Sequence, residues 1–402
     1  MAEVFDQARV GGAIGADGTQ HGAQPRSAAP ALRPIESVPI GDWRTLCPRA
    51  LEPNGYYLPD WELAVNATAH GRTGASALCA WSDTPQAALI GLSPVVSLWQ
   101  AYRIPLPALA SGHPYGTLCT PLLDCDNAGV ATTRLLQAAR RIGAHALVLR
   151  DVALDGQVMQ AINAALAGDG LRPRPLQSYL RACLDATGDG DELLRDALGA
   201  KKLKELRRQR HRLAEHGTVG FEVARTPREV ATALETFLAL EASGWKGRRG
   251  TALIQHAGDA AFIRRAAVAL AEHRQCEIST LRAGDTAVAA GIVLRHQDRA
   301  FFFKLGVDER FAKFSPGVQL TLDLTRHLCA DPAIASADST AGADHPMINP
   351  IWRGRFAIGD VLLPLRARDP VVELIHASLT TRRSAMEFAR RGVHFIRSIR
   401  KS

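Results

Sequence analysis

The chain has 402 residues, is 47% apolar and carries a net charge of +8. That is enough material for two cores of about 150 residues each plus tails, and too much for one compact unit by default. No run of eighteen apolar residues occurs, so the sequence predicts no membrane-spanning helix.

In chain order, residues 1–35 are rich in Gly, Ala, Gln and Pro, carry acidic residues early and lack an apolar h-region. They read as a disordered tail and not as a signal peptide, which predicts a cytoplasmic protein. Residues 36–186 read as a mixed α/β unit. A turn around Trp43, Tyr56, Tyr57 and Trp61 leads into a short helix, and strand-like runs follow at 75–82 and 86–98. After a Pro- and Gly-rich stretch come a helix at 127–142, a strand at 145–151, a helix at 156–167 and a strand at 176–184. Residues 187–365 open with helices at 191–215, 227–243 and 258–273. Three strand-like runs at 276–282, 286–297 and 300–308 form an antiparallel meander around the turns Ala283-Gly284-Asp285 and Asp298-Arg299. A strand at 333–339, a Gly-containing turn at 342–350, a short helix around Trp352 and a last strand, GDVLLPL, close the sheet. Residues 366–402 alternate apolar and arginine residues as a basic amphipathic pair of helices.

The charge is concentrated. Eight Lys/Arg against two acidic residues occupy 195–212, and nine against three occupy 366–402. The rest of the chain is mildly acidic, which points to local contacts with phosphate or an anionic surface. The seven cysteines, Cys47, Cys79, Cys119, Cys125, Cys183, Cys276 and Cys329, include no C-x-x-C pair. They indicate a reducing compartment and argue against a disulfide framework or a structural zinc site. The usual motifs of metalloproteases, serine hydrolases, nucleotide hydrolases and dinucleotide dehydrogenases are absent. No metal is expected.

The most informative segment joins the meander to the next helix. Strand 300–308 runs into Lys313-Phe-Ser-Pro-Gly-Val318 and then an amphipathic helix. Ser315 suits the N-cap, Pro316 the first helical position, and Gly317 a close backbone approach. The N–H groups of Gly317, Val318 and Gln319 would then point at an anion such as a phosphate.

This stretch resembles the core of a GNAT-fold acyltransferase. The closer likeness is to the CelD/BcsL-type branch, similar to the FemAB-like transferases built from two GNAT-like halves. Glu241-Ala-Ser-Gly-Trp-Lys-Gly247, Phe303-Lys-Leu-Gly-Val-Asp308, Phe311 to Gly317, Asp338, His345-Pro-Met-Ile348 and Trp352 carry it, over roughly 190–365. The resemblance implies an α/β fold of two GNAT-like halves, with mixed, mostly antiparallel sheets flanked by helices. It also implies that the first half is degenerate and the second catalytic. The common loop Gln/Arg-x-x-Gly-x-Gly/Ala shows only one of its glycines here.

The same resemblance implies acetyl-CoA or another acyl-CoA as donor, held by Leu305, Gly306, Val307, Lys313, Ser315, Gly317, Val318 and Gln319. For the proton, His345, Asp338 and Glu241 are the candidates. Asp338 ends a strand, His345 follows on a turn and titrates near neutrality, and Glu241 either is catalytic or fixes its loop. Trp245, Lys246, Lys304 and Asp344 are candidate acceptor contacts. The expected activity is N- or O-acyl transfer to an amine or hydroxyl on a sugar or envelope polysaccharide precursor. Two alternatives stay open: a FemAB-like transferase using aminoacyl-tRNA, and a non-catalytic accessory protein on a polysaccharide or an anionic membrane.

Overall fold

A computed structural model of the protein describes residues 32–72, 74–112 and 114–399. Thirteen strands are described: β1 (Leu32–Pro34), β2 (Ser76–Trp81), β3 (Leu89–Ser97), β4 (Ala108–Ser111), β5 (Leu122–Leu123), β6 (Ala146–Ala153), β7 (Arg174–Asp185), β8 (Val219–Ala224), β9 (Cys276–Ala283), β10 (Thr286–His296), β11 (Arg299–Val307), β12 (Ser336–Asp338) and β13 (Gly354–Pro364). The helices are α1 (Ile40–Leu46), α2 (Pro59–Thr68), α3 (Leu98–Tyr102), α4 (Ala128–Arg141), α5 (Gln157–Gly168), α6 (Gly190–Leu213), α7 (Pro227–Ser243), α8 (Trp245–Arg248), α9 (Ala257–Glu272), α10 (Pro316–Cys329) and α11 (Pro370–Ile399).

The strands join into one mixed, mostly antiparallel sheet in the order β1-β2-β3-β4-β6-β13-β7-β12-β11-β10-β9-β8, with β5 on β3. Among the described strands, only the β4–β6 and β11–β12 ladders are parallel. The last strand lies in the interior of the sheet. It inserts between β6 and β7, so each half gives a strand to the middle of the sheet. Both of its faces are covered, Val361 and Leu363 packing in the cluster with α4 and α5 and Leu362 in that with α3 and α11, which explains the apolar run Val361 to Leu363.

Helices cover both faces. The largest apolar cluster joins Trp43, Tyr56 and Trp61 of the first half to Phe237, Phe262, Phe301 and Phe303 of the second. Helices α4 and α5 cover a second cluster, and α6 and α10 a third. Polar bonds also cross between the halves. The buried His296 ring accepts from Asn54 N through Nδ1 (2.8 Å) and meets Cys47 O through Nε2 (2.8 Å). Gln297 Nε2 donates to Ala50 O at 2.7 Å.

The expected tail over 1–35 falls mostly outside the described residues. Its end is ordered, since Leu32, Arg33 and Pro34 pair with Leu78, Ala77 and Ser76. The expected pair of C-terminal helices is one helix, α11. Its first turns pack on the body through Val372, Ile375 and Leu379, against Leu98, Ala110, Val148 and Leu362. The segment around Trp352 is a turn, although Trp352 itself is buried and donates from Nε1 to Thr325 Oγ1 at 2.9 Å.

Candidate active site

Strand β11 is where the second half opens. Its parallel ladder with β12 holds only for Arg299–Ser336, Ala300–Ala337 and Phe301–Asp338. Beyond that pair β12 ends while β11 runs on to Val307. On the opposite edge, Ile292 faces Lys304 and Val293 faces Phe302, so Phe303 is the extra residue of a bulge. A bulge resets which way the following residues face. Past it, Gly306 lies toward α7, where a Cβ would come within 3.0 Å of Glu241 N. Leu305 and Val307 lie toward α10. The Leu305 carbonyl accepts from Lys246 Nζ at 3.2 Å. Because the N–H and C=O of a strand residue share a side, the Leu305 amide also faces the open edge.

The start of α10 stands beside this edge, but not quite as the sequence suggested. Ser315 adopts the left-handed conformation (φ 54°, ψ 52°) and makes no side-chain cap. The Gln319 amide is not free, since it bonds Ser315 O at 3.0 Å, and its buried side chain donates to Leu206 O at 2.8 Å. Two amides, Gly317 and Val318, precede that first helical bond and point outward with the helix dipole. Gly317 is buried, and its lack of a Cβ serves packing: one there would lie 3.0 Å from Leu305 Cδ2, 3.2 Å from Val307 Cγ1 and 3.4 Å from Met347 Sδ. Lys313 is exposed, with Nζ 4.8 Å from the centroid of the Phe314 ring.

Helix α6 breaks at Gly199 (φ 71°, ψ 163°), and its second segment runs alongside α10. Leu206 meets Gln319, and Arg210 Nη1 pairs with Asp323 Oδ2 at 2.7 Å. That register sets the exposed Lys201, Lys202 and Lys204 level with the N-terminus of α10.

The structure gathers Glu241, Lys246, Lys304 and Leu305 into one cluster. The Glu241 side chain is fully buried, and its Oε1 pairs with Lys246 Nζ at 3.0 Å and Lys304 Nζ at 3.3 Å. Its Oε2 accepts from Leu253 N at 2.9 Å. Burial alone would raise its pKa, but Lys304, Lys246 and that amide outweigh it and hold the carboxyl below its ordinary value. Burial likewise holds Lys304 below the usual lysine range, with Glu241 opposing. A carboxylate with both oxygens engaged is a tether for the α7–α8 corner. Trp245 at that corner is 48% exposed, its ring under Arg249, and its backbone N–H donates to Glu309 Oε1 at 2.7 Å.

Asp338 and His345 do not bond each other. Asp338 is buried, with Oδ2 on Arg181 Nη1 (3.1 Å) and Oδ1 on Thr340 N (2.7 Å). His345 is half-buried, and its Nδ1 faces the amides of Met347 and Ile348, each at 3.4 Å. Burial holds its pKa below the ordinary value. With Nδ1 accepting, the neutral ring carries its proton on Nε2. Asp344 beside it is exposed and left-handed (φ 53°).

Sequence reasoning missed the partners from the first half. Arg181 is buried, bonds Tyr179 Oη through Nη2 (2.6 Å), and keeps a buried Nε with no partner among the described residues. A charge in a strand-like run was the available signal. Tyr115 stacks on Phe262 at 4.8 Å; burial and then Asp259 push its phenol upward. Nothing in its Pro- and Gly-rich stretch marks it.

Residues 200–345 match the family described as acetyltransferase (GNAT) domain. The fold is that of the GNAT acyltransferases. Among solved structures, FemX superimposes with a TM-score of 0.54 at 12% identity, over 84% of this chain and 98% of its own. The C-terminal domain of a protein described as lysylphosphatidylglycerol synthetase, from Agrobacterium fabrum, gives 0.51 at 13%, over 85% and 96%. A conserved protein of unknown function from Bacteroides thetaiotaomicron gives 0.51 at 12%, over 82% and 98%. No curated protein matches the sequence. No helix among the described residues is long and apolar enough to cross a membrane.

Proposed function

We propose that the protein is an acyltransferase that moves an acetyl or longer acyl group from CoA to an amine or hydroxyl. The observation that carries this reading is the early end of the β11–β12 ladder beside the two outward amides of α10. In this reading the donor's pyrophosphate sits before Gly317 and Val318, with Lys313 and the lysines of α6 nearby. The thioester carbonyl lies along the Leu305 edge, whose outward amide polarises it. The acceptor nitrogen or oxygen bonds the carbonyl carbon and the carbon–sulfur bond breaks. The proton lost by the acceptor passes through His345 to the thiolate sulfur. Asp338 acts through Arg181, and Glu241 sets the corner that carries Trp245. The acceptor is a sugar or envelope polysaccharide precursor, as the likeness to the CelD/BcsL branch suggests, and the exposed Trp245 offers it a flat face.

Calorimetry with acetyl-CoA, a long-chain acyl-CoA and free CoA tests the donor. Binding at one site per chain is expected, weakened roughly tenfold or more by Lys313→Glu, since a charge-assisted phosphate contact is lost. Gly317 is a poor choice of variant because a side chain there would crowd Leu305 and Val307, so lost binding could reflect local repacking. The second reading is an aminoacyl-tRNA donor. The likeness to FemX and the exposed basic face of α6 favour it. Binding of charged tRNA with no binding of any CoA species would replace the first reading by the second.

A further inference from the structure

A pocket of about 360 Å³ lies on the first half, between α3, β6, β7, β13 and α11. The backbone around it is irregular at one level of the sheet. Between the pairs Gly359–Val152 and Val361–Leu149, β13 contributes Asp360 alone, whereas β6 contributes Arg150 and Asp151. Between Asp360–Gln177 and Val361–Pro175, β7 carries Leu176 as an extra residue. Asp151 takes the left-handed conformation (φ 45°). Two bulges at one level turn side chains out of their strand alternation, a device common beside ligand sites.

Arg150 is turned into this pocket. Its guanidinium lies 5.8 Å from the centroid of the Tyr102 ring, and Arg382 of α11 lies 5.6 Å from the same ring. Neither guanidinium has an ion pair with a carboxylate among the described residues, although Arg382 donates from Nε to Tyr102 O at 3.2 Å. Asp360 is the acidic side chain lining the pocket, and its oxygens are already engaged, by Asp151 N at 2.9 Å and Gln177 Nε2 at 2.6 Å. Burial also raises its pKa. Both guanidinium groups line one pocket beside the Tyr102 ring, and an anion bound there would gain charge-assisted hydrogen bonds from each. The remaining wall is apolar, formed by Leu176, Leu379 and Met386.

We propose that this pocket binds the phosphate or carboxylate group of an amphiphile, with Arg150 and Arg382 on the anion and the apolar portion along Leu379 and Met386. It is separate from the donor site at α10. The ligand can come from solution as a free amphiphile or from a bilayer as a lipid headgroup.

Titrations of the full chain, followed by calorimetry, use inorganic phosphate, octyl phosphate below its aggregation limit, and vesicles of phosphatidylglycerol or phosphatidylcholine. Octyl phosphate is expected to bind at one site at least tenfold tighter than inorganic phosphate. Arg150→Gln and, separately, the more peripheral Arg382→Gln should each weaken it tenfold or more, and saturating CoA should leave it unchanged. Loss of the phosphatidylglycerol vesicle signal in both variants identifies the lipid as a source, whereas octyl phosphate binding without vesicle binding identifies a soluble ligand. The proposal is overturned if octyl phosphate does not bind, if both folded variants bind it like the parent, or if CoA displaces it.

Discussion

Glu241 shows how a residue can carry the family likeness and still serve structure. Its carboxylate sits between two lysines and a backbone amide, and removing the charge strands Lys246 and Lys304 against each other. Glu241→Gln should therefore cost about 3 kcal/mol of stability, measured by urea unfolding at neutral pH. Because its folded pKa is depressed, that contribution is complete above the unfolded value of about 4.3 and disappears as pH falls through the folded one. His345 behaves differently. His345→Ala is expected to lower turnover by about 10²-fold with little change in stability. Its pKa is held down, so the parent's kcat should stay level through neutral pH and fall only below about 6.5. A variant with parental turnover at saturating substrates would move proton transfer to another group.

Helix α11 divides into a packed part and an outward part. Val372, Ile375 and Leu379 are buried on the face shared with Leu98, Val148 and Leu362, while Met386 is 44% and Phe388 79% exposed. Glu373 also forms a paired bond to Arg174, and His145 Nδ1 meets Asp369 at 2.5 Å. Deleting 370–402 removes three core side chains worth about 2 kcal/mol each and uncovers their partners, so an aggregating, destabilised protein is expected. A stable, soluble product from this deletion would show that the packed turns are dispensable. The alternation of apolar and arginine residues gave no hint of this division, because amphipathic periodicity reads the same against a sheet as against a bilayer.

At the scale of the molecule, the halves share the centre of one sheet and the cluster around Trp61, Phe262 and Phe303. His296 adds a pH-sensitive link. It is buried and neutral between Asn54 N and Cys47 O, and burial lowers its pKa to about 4. The unfolded ring titrates near 6.5. Stability is therefore full above about 6.5 and falls by about 3 kcal/mol as pH drops to about 4, because the unfolded chain takes up the proton first. Urea midpoints measured from pH 7 to pH 4 should show this slope, reduced in His296→Gln. An identical slope in parent and variant would assign the acid sensitivity elsewhere.

The sequence by itself determined many of the local elements. The meander, the Ser-Pro-Gly helix start and the expected helix at 227–243 appear where local pattern put them, since turn residues and apolar periodicity act within a few residues. Three consecutive phenylalanines before Lys304 were a visible break in strand alternation, and the bulge lies there. What only the tertiary structure decided is partnership. Asp338 faces Arg181 and not His345, Glu241 is enclosed by two lysines, and β13 enters the sheet between β6 and β7. Arg150 and Arg382, from two elements, each lie against the Tyr102 ring of a third. Apart from Glu241–Lys246, these contacts join residues separated by tens to hundreds of positions, and they are fixed by strand order, register and bulges. One residue of register turns a side chain to the opposite face, so no local pattern could specify them.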